Sequence, residues 1–166
     1  MTCAEWEKIS YAERLLIEDA LRDAPVRISA IAKALGVTVV SADLGSGISG
    51  EIRPSPEHPG SFIIRVNKND STRRQRFTVA HELGHYLLHR SEIGRGIVDD
   101  VLYRSSLSDW REAQANRIAA DILMPDPLIE EWYRRARELR VDDVVAFLAD
   151  KFNVSRAAMR IRLGIS

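Results

Sequence analysis

The stretch RFTVAHELGHYLLHR, Arg76 to Arg90, holds three of the chain's four histidines at four-residue intervals, with Glu82 directly after the first. At about 100° per residue, a helix with Phe77 at zero carries His81, His85 and His89 at roughly 40°, 80° and 120°. Thr78 and Glu82 lie in or beside that arc, while Val79, Ala80, Leu83, Gly84, Leu87 and Leu88 fill the rest of the circumference. Such a helix is expected to bury one side in a core and to carry chemistry on the other.

The chain has 166 residues, 45% of them hydrophobic, enough to bury one core. A single domain over 1–166 is the expectation, with a helical C-terminal segment at approximately 141–166. Lys plus Arg equals Asp plus Glu at 24 each, so no global field draws the chain toward nucleic acid or membrane. Cys3 is the only cysteine, which excludes an internal disulfide framework and a thiolate zinc cage. The opening MTCAEWEKISYAERLL is polar where a signal peptide needs an apolar run, and no span approaches membrane length. A cytoplasmic protein with no membrane association and no pro-segment is expected.

Along the chain, Ala4 to Arg22 has apolar positions at helical spacing, and VRISAIAKALG supplies a second helix ending near Gly36. VTVVSADL, ISGEIR and SFIIRVN have strand character, and RPSPEHPG between the last two suggests a hairpin loop. A small antiparallel sheet follows from this, with SFIIRVN offering an edge on which an extended peptide could pair. The active helix is placed near Gln75 to His89, and SEIGRGIVDDVLYRSSLSD is expected as an irregular loop over it. Helical patterns then cover Trp110–Met124, Pro127–Leu139, Val141–Lys151 and Ser155–Leu163.

Two imidazoles one turn apart project side by side and can share a zinc ion, which accepts nitrogen at about 2.0 Å. His81 and His85 satisfy that spacing. Glu82 lies too far round to be an ideal third ligand, but it can reach a metal-activated water and take its proton, the role of the glutamate in H-E-x-x-H sites. His89 is turned a further step away, so it is expected behind the ligands, facing substrate, or in a structural role. The five-letter motif also occurs by chance, so a third ligand decides more than the motif does.

That ligand is sought in WREAQANRIAADILMP. With Glu112 at zero, Ala115, Asn116, Ala119, Ile122 and Leu123 fall within about 80° of it, and Gln114, Arg117 and Asp121 gather opposite. Glu112 therefore sits on the face expected to be buried, where an ionised carboxylate needs a cation. A metal held by His81 and His85 is one answer, and a salt bridge to an arginine of STRRQR is the other. Asn116, a turn along, could orient the carboxylate or a ligating histidine.

Taken together, IIRVN, RQRFTVAHELGHYLLH and EAQANRIAADILMP resemble the ImmA/IrrE family of metallopeptidases over roughly residues 35 to 127. The resemblance implies an α+β, zincin-like fold with an H-E-x-x-H helix. It also implies Zn2+ bound by His81, His85 and Glu112, with Glu82 activating water. Members often carry a second glutamate where this chain has Gln114, which favours Glu112 as the ligand. The implied substrate is a protein, a helix-turn-helix repressor encoded nearby. Candidate oxyanion donors are Tyr103, Tyr86 and His89.

Other function classes start elsewhere. VVAFLADKFNVSRAAMRIRLGIS has the outline of a helix-turn-helix with Arg156, Arg160 and Arg162 in its last part, which would make a DNA-binding regulator with a vestigial metal site. The balanced charge argues against direct DNA binding. A module that binds a repressor without cutting it is the third class.

Overall fold

The computed structural model describes residues 3–94, 97–100 and 109–166. The long opening helix expected from periodicity is instead three short pieces: a 3-10 turn Ala4–Lys8, α1 (Tyr11–Glu18) and a 3-10 turn Asp19–Arg22. The break has a local cause. Ser10 is extended and caps α1 by accepting from the Glu13 backbone while Glu13 bonds back to Ser10, a reciprocal capping box that starts a new helix. α2 (Ile28–Ala34) follows and ends before Gly36, whose φ of +74° suits a residue without Cβ.

β1 (Val37–Ala42), β2 (Ile48–Pro54), β3 (Phe62–Asn67) and β4 (Ile97–Asp100) form one sheet in the order β1-β3-β2-β4. The sheet is mixed and not antiparallel throughout, because β1 pairs with β3 in parallel. The chain leaves β1, crosses to β2 two positions away, and the β2–β3 hairpin returns β3 into the gap. Asn67 holds the crossing loop, its amide donating to the carbonyls of Gly45 and Ile48 at 2.8 Å. β3 is thus paired on both sides, so SFIIRVN offers no free edge. β4 corrects the reading of Ser91–Asp109 as wholly irregular: it adds antiparallel to β2.

α3 (Thr72–Leu88) starts at Ser71, whose hydroxyl accepts from the Arg74 amide. It packs under the sheet and against α4 (Asp109–Leu123). α5 (Asp126–Glu138), α6 (Val144–Phe152) and α7 (Arg156–Arg162) follow; α5 and α7 lie within one residue of the expected boundaries, whereas α6 starts at Val144 and not at Val141, behind the N-cap Asp143, whose carboxylate accepts from the Ala146 amide. Ile17, Ile31, Ile52, Ile64, Leu83, Ile118, Ile122 and Phe152 are fully buried in one core between sheet and helices. Among the described residues no helix is long and apolar enough to cross a membrane.

Both ends of the described chain fasten to α4. Asp121 accepts from the Cys3 backbone amide (2.7 Å) and the Trp6 indole (2.9 Å), and pairs with Arg162 of α7 (2.6 Å). The buried Glu5 pairs with Arg117, whose Nε lies 3.0 Å from its carboxylate. The Arg117 hydrogen bond is the main cause of the Glu5 pKa being lowered from 4.5 to about 2. A depressed folded-state pKa adds stability above the unfolded pKa and loses it as pH falls through the folded one. Wild type should therefore lose its thermal-stability advantage over Glu5→Gln between about pH 4.5 and 2, as read by melting temperature against pH. An advantage that persisted at the acid end would remove this pair as its source.

Candidate metal centre

α3 is not half exposed. Every residue from Thr78 to His85 is buried, because α4 covers the imidazole side and the sheet and core cover the rest. The two helices approach closely at Gly84. A Cβ built there would lie 3.0 Å from the Ala115 carbonyl oxygen, 3.1 Å from Ala115 Cα and 3.0 Å from a methyl of Ile118. The glycine of HELGH therefore sets the distance between the helix carrying the histidines and the helix carrying Glu112. Two of those three neighbours are backbone, so Gly84→Ala must shift α4. The expected cost is about 1–3 kcal/mol, read as a lower denaturant midpoint at unchanged slope, with weaker metal binding. An unchanged midpoint would show that the helices separate freely.

On one flank of that contact three donors converge. His81 Nε2 and His85 Nε2 are 3.1 Å apart, Glu112 Oε2 lies 3.2 Å from His81 Nε2, and Glu112 Oε1 lies 3.1 Å from His85 Nε2. All three residues are buried and offer their ligand atoms within 4.8 Å of one another. Donors around a tetrahedral ion bound at about 2.0 Å are roughly 3.3 Å apart, so the triangle is of the right size. The donor chemistry, two imidazole nitrogens and a carboxylate, also fits a borderline divalent cation. Glu82, on the turn between the two histidines, is fully buried. The arginines proposed as alternative partners for Glu112 lie elsewhere: Arg73 on Asp150 and the Val154 carbonyl, Arg74 on Ser49 and Asp70, Arg76 on the carbonyls of Val26 and Asn153.

The imidazoles are held from behind. The Asn116 carbonyl oxygen is 2.8 Å from His81 Nδ1, so it accepts a hydrogen bond from Nδ1–H and leaves Nε2 with its lone pair toward the triangle. Asn116 does this from an exposed position, not from the buried face assigned to it. His89 is not in the triangle: its Nδ1 meets His85 Nδ1 at 3.0 Å and its Nε2 meets Gln114 Oε1 at 3.0 Å. Burial holds the His89 pKa below the usual histidine value, which favours the neutral ring. Phe77 stacks on His81 with centroids 6.5 Å apart, and the exposed Trp110 meets His89 edge-on at 6.3 Å.

Gln114 and Asp121, read as lying on the solvated side of α4, are buried. The face that α4 turns to α3 is centred on Ala115 and Ile118, not on Glu112. Glu112 and Gln114 therefore flank the helix contact, one reaching His81 and His85, the other reaching His89.

β2 passes close over the same helix at Gly50, where a Cβ would lie 2.3 Å from Thr78 Cγ2 and 3.5 Å from Glu82 Oε1. Sequence reasoning missed this position, whose only signal was a glycine inside a strand. Tyr86 is engaged elsewhere, its hydroxyl donating to the Leu35 carbonyl. Tyr103 lies outside the described residues. The three terminal arginines are occupied as well: Arg156 by Asp143, Arg162 by Asp121 and Asp126, Arg160 by the Ser166 carbonyl oxygen.

Residues 32–164 match the IrrE N-terminal-like domain, a peptidase family model. The radiation response metalloprotease IrrE of Deinococcus radiodurans is 31% identical over 128 residues, covering 70% of this chain and 39% of that protein. The metallopeptidase ImmA of Bacillus subtilis is 33% identical over 70 residues, covering 42% of this chain and 38% of that protein. The chain thus spans about two fifths of the length of these curated relatives. A solved structure of a Mycobacterium tuberculosis transcriptional regulator aligns with a TM-score of 0.57 over 93% of this chain and 45% of its own, at 22% identity, a likeness of fold. A match over most of the chain, on the same segment that brings two histidines and a glutamate to one point, makes this protein a member of the ImmA/IrrE family of metallopeptidases.

Proposed function

We propose that the protein is a zinc-dependent endopeptidase, a single zincin-like domain whose metal is held by His81, His85 and Glu112. The observation that carries this reading is two buried imidazole nitrogens 3.1 Å apart on α3, the helix that also bears the buried Glu82, each with one oxygen of the Glu112 carboxylate from α4 at 3.1–3.2 Å. Zinc, when bound, would supply a Lewis acid that polarises a peptide carbonyl and lowers the pKa of a water. Glu82 takes the proton of the attacking water and passes it to the leaving amine. Asn116 keeps the His81 ring in the tautomer that presents Nε2. The family resemblance supports the substrate class: a helix-turn-helix repressor or similar regulator encoded nearby, cleaved in the cytoplasm.

Metal analysis by mass spectrometry on purified protein, joined to incubation with neighbouring repressors, tests both halves. About one zinc per chain and new repressor fragments are expected. No metal after zinc is supplied and the excess removed would sink the reading. Bound zinc with repressor binding but no fragments would replace cleavage with sequestration, and salt-sensitive binding to duplex DNA would favour a regulator.

A further inference from the structure

Behind the metal triangle, four groups form a line: Gln114 Oε1 and His89 Nε2 at 3.0 Å, His89 Nδ1 and His85 Nδ1 at 3.0 Å, then His85 Nε2 facing Glu112 Oε1 at 3.1 Å. Gln114, His89 and His85 are all buried, His85 completely. Water therefore has little part in setting the direction of these bonds. A neutral imidazole has one donor nitrogen and one acceptor nitrogen, so fixing the proton at one end of the line fixes it at every joint.

The line can run two ways. With the Gln114 carbonyl accepting, His89 carries its proton on Nε2 and accepts at Nδ1. His85 then carries its own proton on Nδ1 and turns a lone pair from Nε2 toward the triangle. With the Gln114 amide turned to donate, every proton moves to the opposite nitrogen, and His85 Nε2–H donates to Glu112 Oε1. The first polarity accepts a metal ion; the second satisfies the same buried groups without one. A glutamine supports both because its amide offers a donor and an acceptor, whereas an ionised glutamate supports only the first.

We propose that Gln114 is a positioning residue that acts through His89 to select the His85 tautomer, so that metal loading and release coincide with a reversal of this hydrogen-bonded line. The inference rests on His85 being a metal ligand, as proposed above. It assigns to Gln114 the tuning of metal affinity without contact with the metal, and to His89 a link that is neither ligand nor substrate contact.

The test uses the full chain with zinc alone, its affinity read by competition with a chromophoric chelator, and 15N-histidine NMR of the zinc-loaded and metal-free protein. In the loaded protein His85 should carry its proton on Nδ1 and His89 on Nε2. Gln114→Glu, nearly isosteric, should hold His89 in that form without metal and tighten zinc by at least about twofold, since it removes the competing polarity. Gln114→Leu should weaken zinc by about tenfold or more. Melting temperatures confirm that each variant is folded, and the wild-type tautomers need no variant. Equal zinc affinity in wild type and Gln114→Glu, with the same metal-free His89 tautomer in both, overturns the proposal, as does a loaded His89 protonated on Nδ1. If His85→Ala loses zinc while the Gln114 variants match wild type, the line fails and the ligand assignment stands; if wild type binds no zinc, both fail.

Discussion

Glu82→Gln should retain the metal and lose roughly 10²–10⁴-fold in turnover, the range contributed by a positioned general base. The substitution keeps the size of the side chain in a site with no solvent exposure, so packing under β2 is preserved and the change is confined to charge and basicity. A carboxamide cannot take the proton of the attacking water, nor return it to the departing amine. Single-turnover cleavage of a protein substrate, followed by mass spectrometry of the fragments alongside metal content, separates the possibilities. Loss of zinc would make Glu82 part of metal binding, and retained cleavage would remove it from proton transfer altogether.

Glu112→Ala should abolish stable metal retention, with an affinity loss well beyond the 10–100-fold typical of an outer-shell partner. The alanine leaves two imidazoles on α3 and no carboxylate from α4, because among the described residues Glu112 is the one member of α4 in the triangle. Two nitrogens from one helix form one edge of a coordination site; the carboxylate closes it from a second helix. The measurement is zinc stoichiometry after exhaustive dialysis, with melting temperature in the presence and absence of zinc. Wild type should gain stability on adding zinc by linkage, and the variant should not. Full stoichiometry in the alanine variant would transfer the third position to another group.

The convergence of His81, His85 and Glu112 was legible because it depends on short-range spacing within each helix. Two histidines four apart on a helix must share a side, and a glutamate among small apolar residues must be buried, whatever the fold. The helices after Ser71 were legible for the same reason. The parallel pairing of β1 with β3 was not, because the hydrophobic pattern of a strand says which face is buried and nothing about its neighbour. The break at Ser10 was signalled by Ser10 and Glu13, but the surrounding periodicity concealed it. Gln114 was misplaced by a helical wheel centred on Glu112: the true centre, near Ala115 and Ile118, is dictated by the absent side chain of Gly84 on another helix.

The carboxylate of Asp121 has a consequence of a different kind. It gathers a backbone amide and an indole from the first described residues and a guanidinium from the last helix onto the rod that carries Glu112 nine residues earlier. α4 is therefore a keystone held by the first and last described segments, and fraying of either is transmitted to it as loss of restraint. Slow hydrogen exchange in α4 should relax together with that of Ala4–Lys8 and α7, so that the helix bearing Glu112 opens as one cooperative unit with those two segments.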